Sequence, residues 1–276
     1  MRDTLTPILE EAEEFASKIL KNEVSEKMTY HNYDHTQQVV NMAARICEEM
    51  KVSAEEREIV LLAAWFHDLG YCNGGLRHEE QSRDIAVKFL EERNYSKDKI
   101  ERVSSCIMAT QMPQNPKDQL GQILCDSDLS HLGSEGYLKK SELLRQEIEL
   151  VKGQKLDKLA WLSINKAFLE GHCFFTEYAK SWFGKGITEN LKLVETEISK
   201  ASRPKLYGRY KGQHHDFYKR HYFIGSGEFV SQKSGRVPSS NDSFAYLNQR
   251  VPHHYSVCHF GYQAKCVERK VYPRGY

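Results

Sequence analysis

Across residues 1–202, apolar side chains return every three or four positions almost without interruption, and no stretch alternates them in steps of two. Only a helix of about 3.6 residues per turn lines up such positions on one face. The reading is therefore all-α, with helices over 5–22, 35–51, 54–69, 78–93, 96–111, 118–132, 135–152, 156–182 and 188–201 and short connectors between them. Ser53, Ser96 and Ser134 each precede an apolar-periodic stretch and are expected as N-caps, while Pro113 and Pro116 mark a loop. The longest apolar run, Ile59–Phe66, is eight residues. That is far below the ~20 of a transmembrane helix.

The period stops near residue 202, and the charge changes there too. Residues 1–202 hold 26 Lys+Arg against 34 Asp+Glu, whereas 203–276 hold 13 against 4, so the whole-chain balance of +1 conceals halves of −8 and +9. Nine of the 15 tyrosines and six of the 12 histidines also fall in the last stretch. The chain divides accordingly into a helical domain, 1–202, and a basic Tyr/His-rich tail, 203–276, whose structure is unassigned and whose expected state is poorly ordered. Basic residues interleaved with aromatics make nucleic acid a possible but unfavoured partner of that tail. The seven cysteines, at 47, 72, 106, 125, 173, 258 and 266, include no C-x-x-C pair. They read as reduced thiols of a cytoplasmic protein without a disulfide framework or zinc knuckle.

Four polar residues stand in or beside strongly apolar helices, where an isolated charge is costly unless paired or metal-bound. His67 and Asp68 end the apolar run, His35 opens another helix, and Asp128 lies within Leu124-Cys125-Asp126-Ser127-Asp128-Leu129. A His-Asp dipeptide alone is weak evidence, since His215-Asp216 in the tail is a second one with no apolar helix around it. The ordered set His, then His-Asp, then Asp, each in a helix, is the stronger signal. Two imidazoles and two carboxylates suit one divalent ion among Mn²⁺, Fe²⁺, Zn²⁺, Co²⁺ or Ni²⁺, with Mg²⁺ less well served.

The same residues resemble the HD-domain metal-dependent phosphohydrolases, and specifically a bacterial subgroup. Tyr30-His31-Asn32-Tyr33-Asp34-His35 is similar to that family's Tyr-His-Asn-x-x-His segment, Ala64-Trp65-Phe66-His67-Asp68-Leu69-Gly70-Tyr71 to its second motif, and Asp126-Ser127-Asp128-Leu129-Ser130-His131-Leu132-Gly133 to its last. The resemblance spans roughly residues 5–200. It implies an HD-domain helical bundle in which His35, His67, Asp68 and Asp128 are the metal ligands.

His31 takes the position that in phosphodiesterase relatives protonates the leaving oxygen, a role suited to an imidazole with pKa ~6.5; a turn histidine bonding backbone is the alternative. His78-Glu79-Glu80-x-Ser82 resembles an Asn-Glu-Glu-x-Ser stretch of the subgroup, with His78 in place of asparagine. His78, Glu79 and Glu80 are thereby expected around the ion or at the substrate, with exposed first-turn carboxylates as the plainer reading of the two glutamates. Asp126 is expected either to support a ligand or to cap its helix. Gln111 stands where two-metal relatives carry a histidine, which favours one ion.

Taken together, the resemblance implies a phosphomonoesterase or phosphodiesterase that acts on a small, nucleotide-like phosphate ester through metal-activated water, with His31 as acid and Asp68 as both ligand and base. Lys139, Lys140 and Arg145 are either phosphate contacts or a solvated helix face. No Gly-rich phosphate loop is present. A second reading comes from very similar bacterial proteins that continue after about residue 200 into transmembrane helices and look like effectors of cyclic-nucleotide signalling. It makes this chain a metal-binding sensor without robust turnover.

Overall fold

The computed structural model describes residues 6–202. The tail 203–276, with the order and partner expected of it, lies outside the described residues. Those described are helical throughout, without strands, in the order α1 (Pro7–Asn22), α2 (Tyr33–Glu49), α3 (Ala54–Phe66), α4 (His78–Glu91), α5 (Lys97–Ala109), α6 (Gln119–Asp128), α7 (Tyr137–Lys152), α8 (Lys158–Gly171) and α9 (Glu177–Ala201). None is long and apolar enough to cross a membrane.

The apolar run explains the architecture. Every residue from Ile59 to Phe66 is buried, so the last two turns of α3 have no outer face and must be surrounded. It is packed by α1, α2, α4, α5 and α6, which build one core with Phe66, Phe89, Ile46 and Leu124 among its fully buried members. A second, smaller core forms where α7, α8 and α9 close over the segment after α6, around Leu132, Tyr137, Leu162, Leu169 and Val194. Ser53 begins α3 with a full capping box, its hydroxyl accepting from the Glu56 amide at 3.2 Å while Glu56 accepts from the Ser53 amide. The five cysteines among the described residues form no disulfide.

Several boundaries depart from the sequence reading. The stretches expected to run to 69 and 132 end as α-helices at Phe66 and Asp128, and tighter 3-10 turns follow at Leu69–Asn73 and Leu129–Gly133. Close packing forces the first turn. A Cβ on Gly70 would stand 2.2 Å from the His78 carbonyl oxygen, so only glycine lets α4 begin this near. Ser134 caps no helix; α7 starts after Gly136, whose φ of 80° the missing Cβ permits.

The expected break at 183–187 is absent. The chain breaks instead at His172–Thr176, where Thr176 caps α9 by accepting from the Ala179 amide, and α9 continues unbroken through Gly184 and Gly186. Gly186 is there for contact: a Cβ on it would lie 1.8 Å from the carbonyl oxygen of Gly133.

Candidate metal centre and cavity

Helix ends assemble the centre. Asn32 caps α2 by accepting from the amides of Asp34 and His35, which places His35 in the first turn. His67 closes α3 and its Nδ1 donates to the Ala64 carbonyl at 2.8 Å, leaving Nε2 as the nitrogen with the free lone pair. Asp68 follows at the bend, and Asp128 is the last residue of α6.

Their atoms converge. His35 Nε2 is 3.3 Å from Asp68 Oδ2 and 3.2 Å from Asp128 Oδ1, and His67 Nε2 is 3.2 and 3.8 Å from the same two oxygens. His35, His67 and Asp128 alone already form a group able to hold a metal ion. Despite the short distances, His35 Nε2, His67 Nε2 and Asp68 Oδ2 are buried with no hydrogen-bond partner. Leaving a buried polar atom unpaired costs about 1–3 kcal/mol, so three together mark a place meant for a cation.

The electrostatics agree. Burial would lower His67, but Asp68 and Asp128 outweigh it and hold the imidazole well above its usual range. Burial would raise both carboxylates, yet the imidazoles keep Asp68 and Asp128 well below theirs. The residues fit a divalent ion with mixed nitrogen and oxygen ligands.

A cavity of about 70 Å³ opens beside this cluster, and Asp68, His78, Glu79, Asp128 and His31 line one side of it. His31 Nδ1 is held at 2.5 Å by Glu147 Oε1, while Glu147 Oε2 accepts the backbone amides of Tyr30 and His31 at 2.8 and 2.9 Å. Burial pulls His31 down, but Glu147 overrides it, so the imidazole is raised. Its ring stacks on Tyr71 at 4.2 Å, and Nε2 lies 3.4 Å from the Tyr71 hydroxyl. His31 is thus anchored by a carboxylate from α7 rather than bonding backbone as a turn histidine.

His78 places Nε2 3.7 Å from Asp68 Oδ1 and Nδ1 3.4 Å from Glu79. Burial pushes Glu79 up to about 7, against a backbone hydrogen bond and with help from the Asp68 charge. Glu80 lies outside the lining and pairs with Arg77.

Asp126 does not line the cavity and does not cap its own helix, which Asp118 does. Its carboxylate accepts the amides of Phe175 and Thr176 and the Thr176 hydroxyl at 2.7–2.8 Å, clamping the entrance of α9. Arg145 is engaged by Glu142 and Glu149 and Lys140 by Gln38, and neither lines the cavity. The sequence reading missed Glu147, His131 and Asn165. Of these only His131, inside the last motif, carried a local signal; it is buried, with its ring pulled down to about 3 by burial, Lys140 and His35.

Residues 32–132 match the family model of the HD domain. This stretch is an HD domain. The match contains His35, His67, Asp68 and Asp128, begins one residue after His31 and stops before Glu147, so the His31–Glu147 pair lies outside it. Two solved structures share the fold. One, described as a predicted HD superfamily hydrolase from an uncultured Thermotogales bacterium, is 17% identical over 70% of this chain and 93% of its own, with a TM-score of 0.50. The other, a Lactobacillus plantarum protein, is 16% identical over 71% and 98%, with a TM-score of 0.54. A comparison with curated proteins finds no match.

Proposed function

We propose that the chain is a metal-dependent phosphohydrolase acting on a nucleotide-like phosphate ester. The observation that carries this is the set of unpartnered nitrogen and oxygen atoms of His35, His67 and Asp68, completed by Asp128, beside a cavity that also presents His31. The HD domain and the Thermotogales hydrolase of the same fold support it. A divalent ion held by these four residues supplies activation of water and neutralisation of phosphoryl charge.

The chain's own groups do the rest. Asp68 Oδ1, on the side away from the two ligand imidazoles, takes the proton that water loses as its oxygen bonds to phosphorus. His31, gripped through Nδ1, delivers a proton from Nε2 to the leaving oxygen as the ester P–O bond breaks. Tyr71 stacks on the imidazole and fixes its orientation. At about 70 Å³ the room is small beside the about 300–1,000 Å³ of drug-sized sites, which suits a small ester with its phosphoryl group at the metal cluster and its leaving group against the facing wall.

The test is phosphate release from nucleoside monophosphates, cyclic nucleotides and an aryl phosphate by protein stripped and reloaded with Mn²⁺, Mg²⁺, Ni²⁺ or Zn²⁺. Metal-dependent turnover is expected, and Asp68→Ala is expected to lose both the ion and the activity while keeping its helical circular dichroism. Full metal content in that variant would displace the site. Stoichiometric metal with no turnover across the panel would favour the sensor reading.

A further inference from the structure

The wall of the cavity that faces the metal cluster comes from α7 and α8, beyond the matched residues 32–132. Its apolar part is Leu144 and Phe168, with Leu132 of the turn after α6 beside them, and its polar part is Tyr137 and Asn165. Among the described residues lining the cavity there is no lysine or arginine, whereas three carboxylates, Asp68, Glu79 and Asp128, face inward. With no lysine or arginine on the lining, one divalent ion leaves little positive charge for an oligophosphate, whose charge in a low-dielectric pocket requires further cations.

The amide of Asn165 is oriented by its neighbours. Trp161 Nε1, which can only donate, gives its hydrogen to Ser141 Oγ at 3.0 Å, so the Ser141 hydroxyl must donate onward to Asn165 Oδ1 at 2.6 Å. The Tyr137 hydroxyl donates to the same oxygen at 2.6 Å, and Asn165 Nδ2 donates to the Trp161 carbonyl at 2.8 Å. Oδ1 is thereby saturated, and the second hydrogen of Nδ2 has no protein partner among the described residues. Asn165 is 5% exposed, so this is a fixed, buried donor on the cavity wall.

We infer that the α7/α8 wall selects esters with a single phosphoryl group on an uncharged leaving group that has an apolar face, and that Asn165 donates to an acceptor on that group. The inference rests on the hydrolase reading and narrows it to monophosphate-type substrates, with di- and triphosphates rejected.

The test follows hydrolysis of the mono-, di- and triphosphate of one nucleoside by the full-length, Mn²⁺-loaded protein. A second readout, free of turnover, is calorimetric binding of the nucleoside alone to the protein without added metal. The monophosphate is expected to exceed the triphosphate in kcat/KM by about tenfold or more, and Leu144→Lys, which adds one cation to the wall, to shrink that ratio several-fold. Asn165→Asp, which replaces the donor, is expected to weaken nucleoside binding about fivefold. Should that variant not fold, Phe168→Ala at the half-buried edge of the wall tests the same binding.

A triphosphate turned over as well as the monophosphate, or a ratio that Leu144→Lys does not move, overturns the inference. If none of the three nucleotides is hydrolysed, the hydrolase reading fails on its own. In that case nucleoside binding weakened by the wall variants still upholds the role of the wall, and absence of nucleoside binding overturns it.

Discussion

Glu147 fills three acceptor positions with two amides and one imidazole nitrogen, and it reaches His31 across 116 residues of sequence. Replacing its charge while keeping its shape should disarm the acid without disturbing the ion. Glu147→Gln is expected to lower kcat by about 10²-fold, within the usual contribution of general acid catalysis, with KM and metal content nearly unchanged. The alkaline limb of its pH–rate profile should move toward lower pH, because the carboxylate that raises His31 is gone. Steady-state kinetics beside metal analysis checks this.

The four residues that converge in the candidate metal centre were legible because each announces itself locally, as a charge at the edge of an apolar helix. Glu147 was not. Along α7 it looks like Glu142 and Glu149, and only the tertiary partner separates the three, His31 for Glu147 against Arg145 for the other two. Asp126 and Asp128 were ambiguous for a related reason: two residues apart on a helix they point about 200° apart, and sequence does not say which direction is inward.

His172 offers a pH test at the same scale. Burial lowers it to about 4 between the rings of Phe168 and Phe174. A histidine whose folded pKa is depressed contributes stability that is complete above its unfolded pKa of ~6.5 and is lost as pH falls toward the folded value. His172→Phe is therefore expected to flatten the decline of the melting temperature between pH ~6.5 and 4, read by thermal denaturation of both proteins.

At the scale of elements, helix existence was legible and helix continuity was not. The three-and-four period placed all of α1 to α7 within a few residues, because amphipathic helices around a buried α3 must show it. The division of the last helices was misjudged because the sequence of α9 contains Gly184 and Gly186, residues that usually interrupt helices. At Gly186 the cost of a helical glycine is accepted so that two backbones can touch, and no sequence period records a contact with Gly133 more than fifty residues away. Gly186→Ala would improve propensity and yet is expected to destabilise by about 1–3 kcal/mol through overpacking, since the obstructing atom is backbone and cannot rotate aside. Chemical denaturation would show the sign. A gain in stability would mean that α9 can shift away from the turn after α6.

Across the whole molecule, charge and function are distributed unevenly. Residues 1–202, which hold the HD domain, carry the −8 balance, and 203–276 carry the +9. If the tail takes a polyanionic partner, full-length protein should bind polynucleotide with an affinity that falls steeply with salt, and deletion of 203–276 should abolish that binding while leaving phosphate release intact. Filter binding at several salt concentrations decides it; equal binding after deletion would locate the contact elsewhere.

Within the described residues, α6 joins the two cores by facing both ways at its end. Asp128 turns to His35 and His67 and Asp126 grips the start of α9. A tug on either is therefore a tug on the other. The last helix is thereby tied to the candidate metal centre through two residues of α6, although it supplies none of the four residues gathered there.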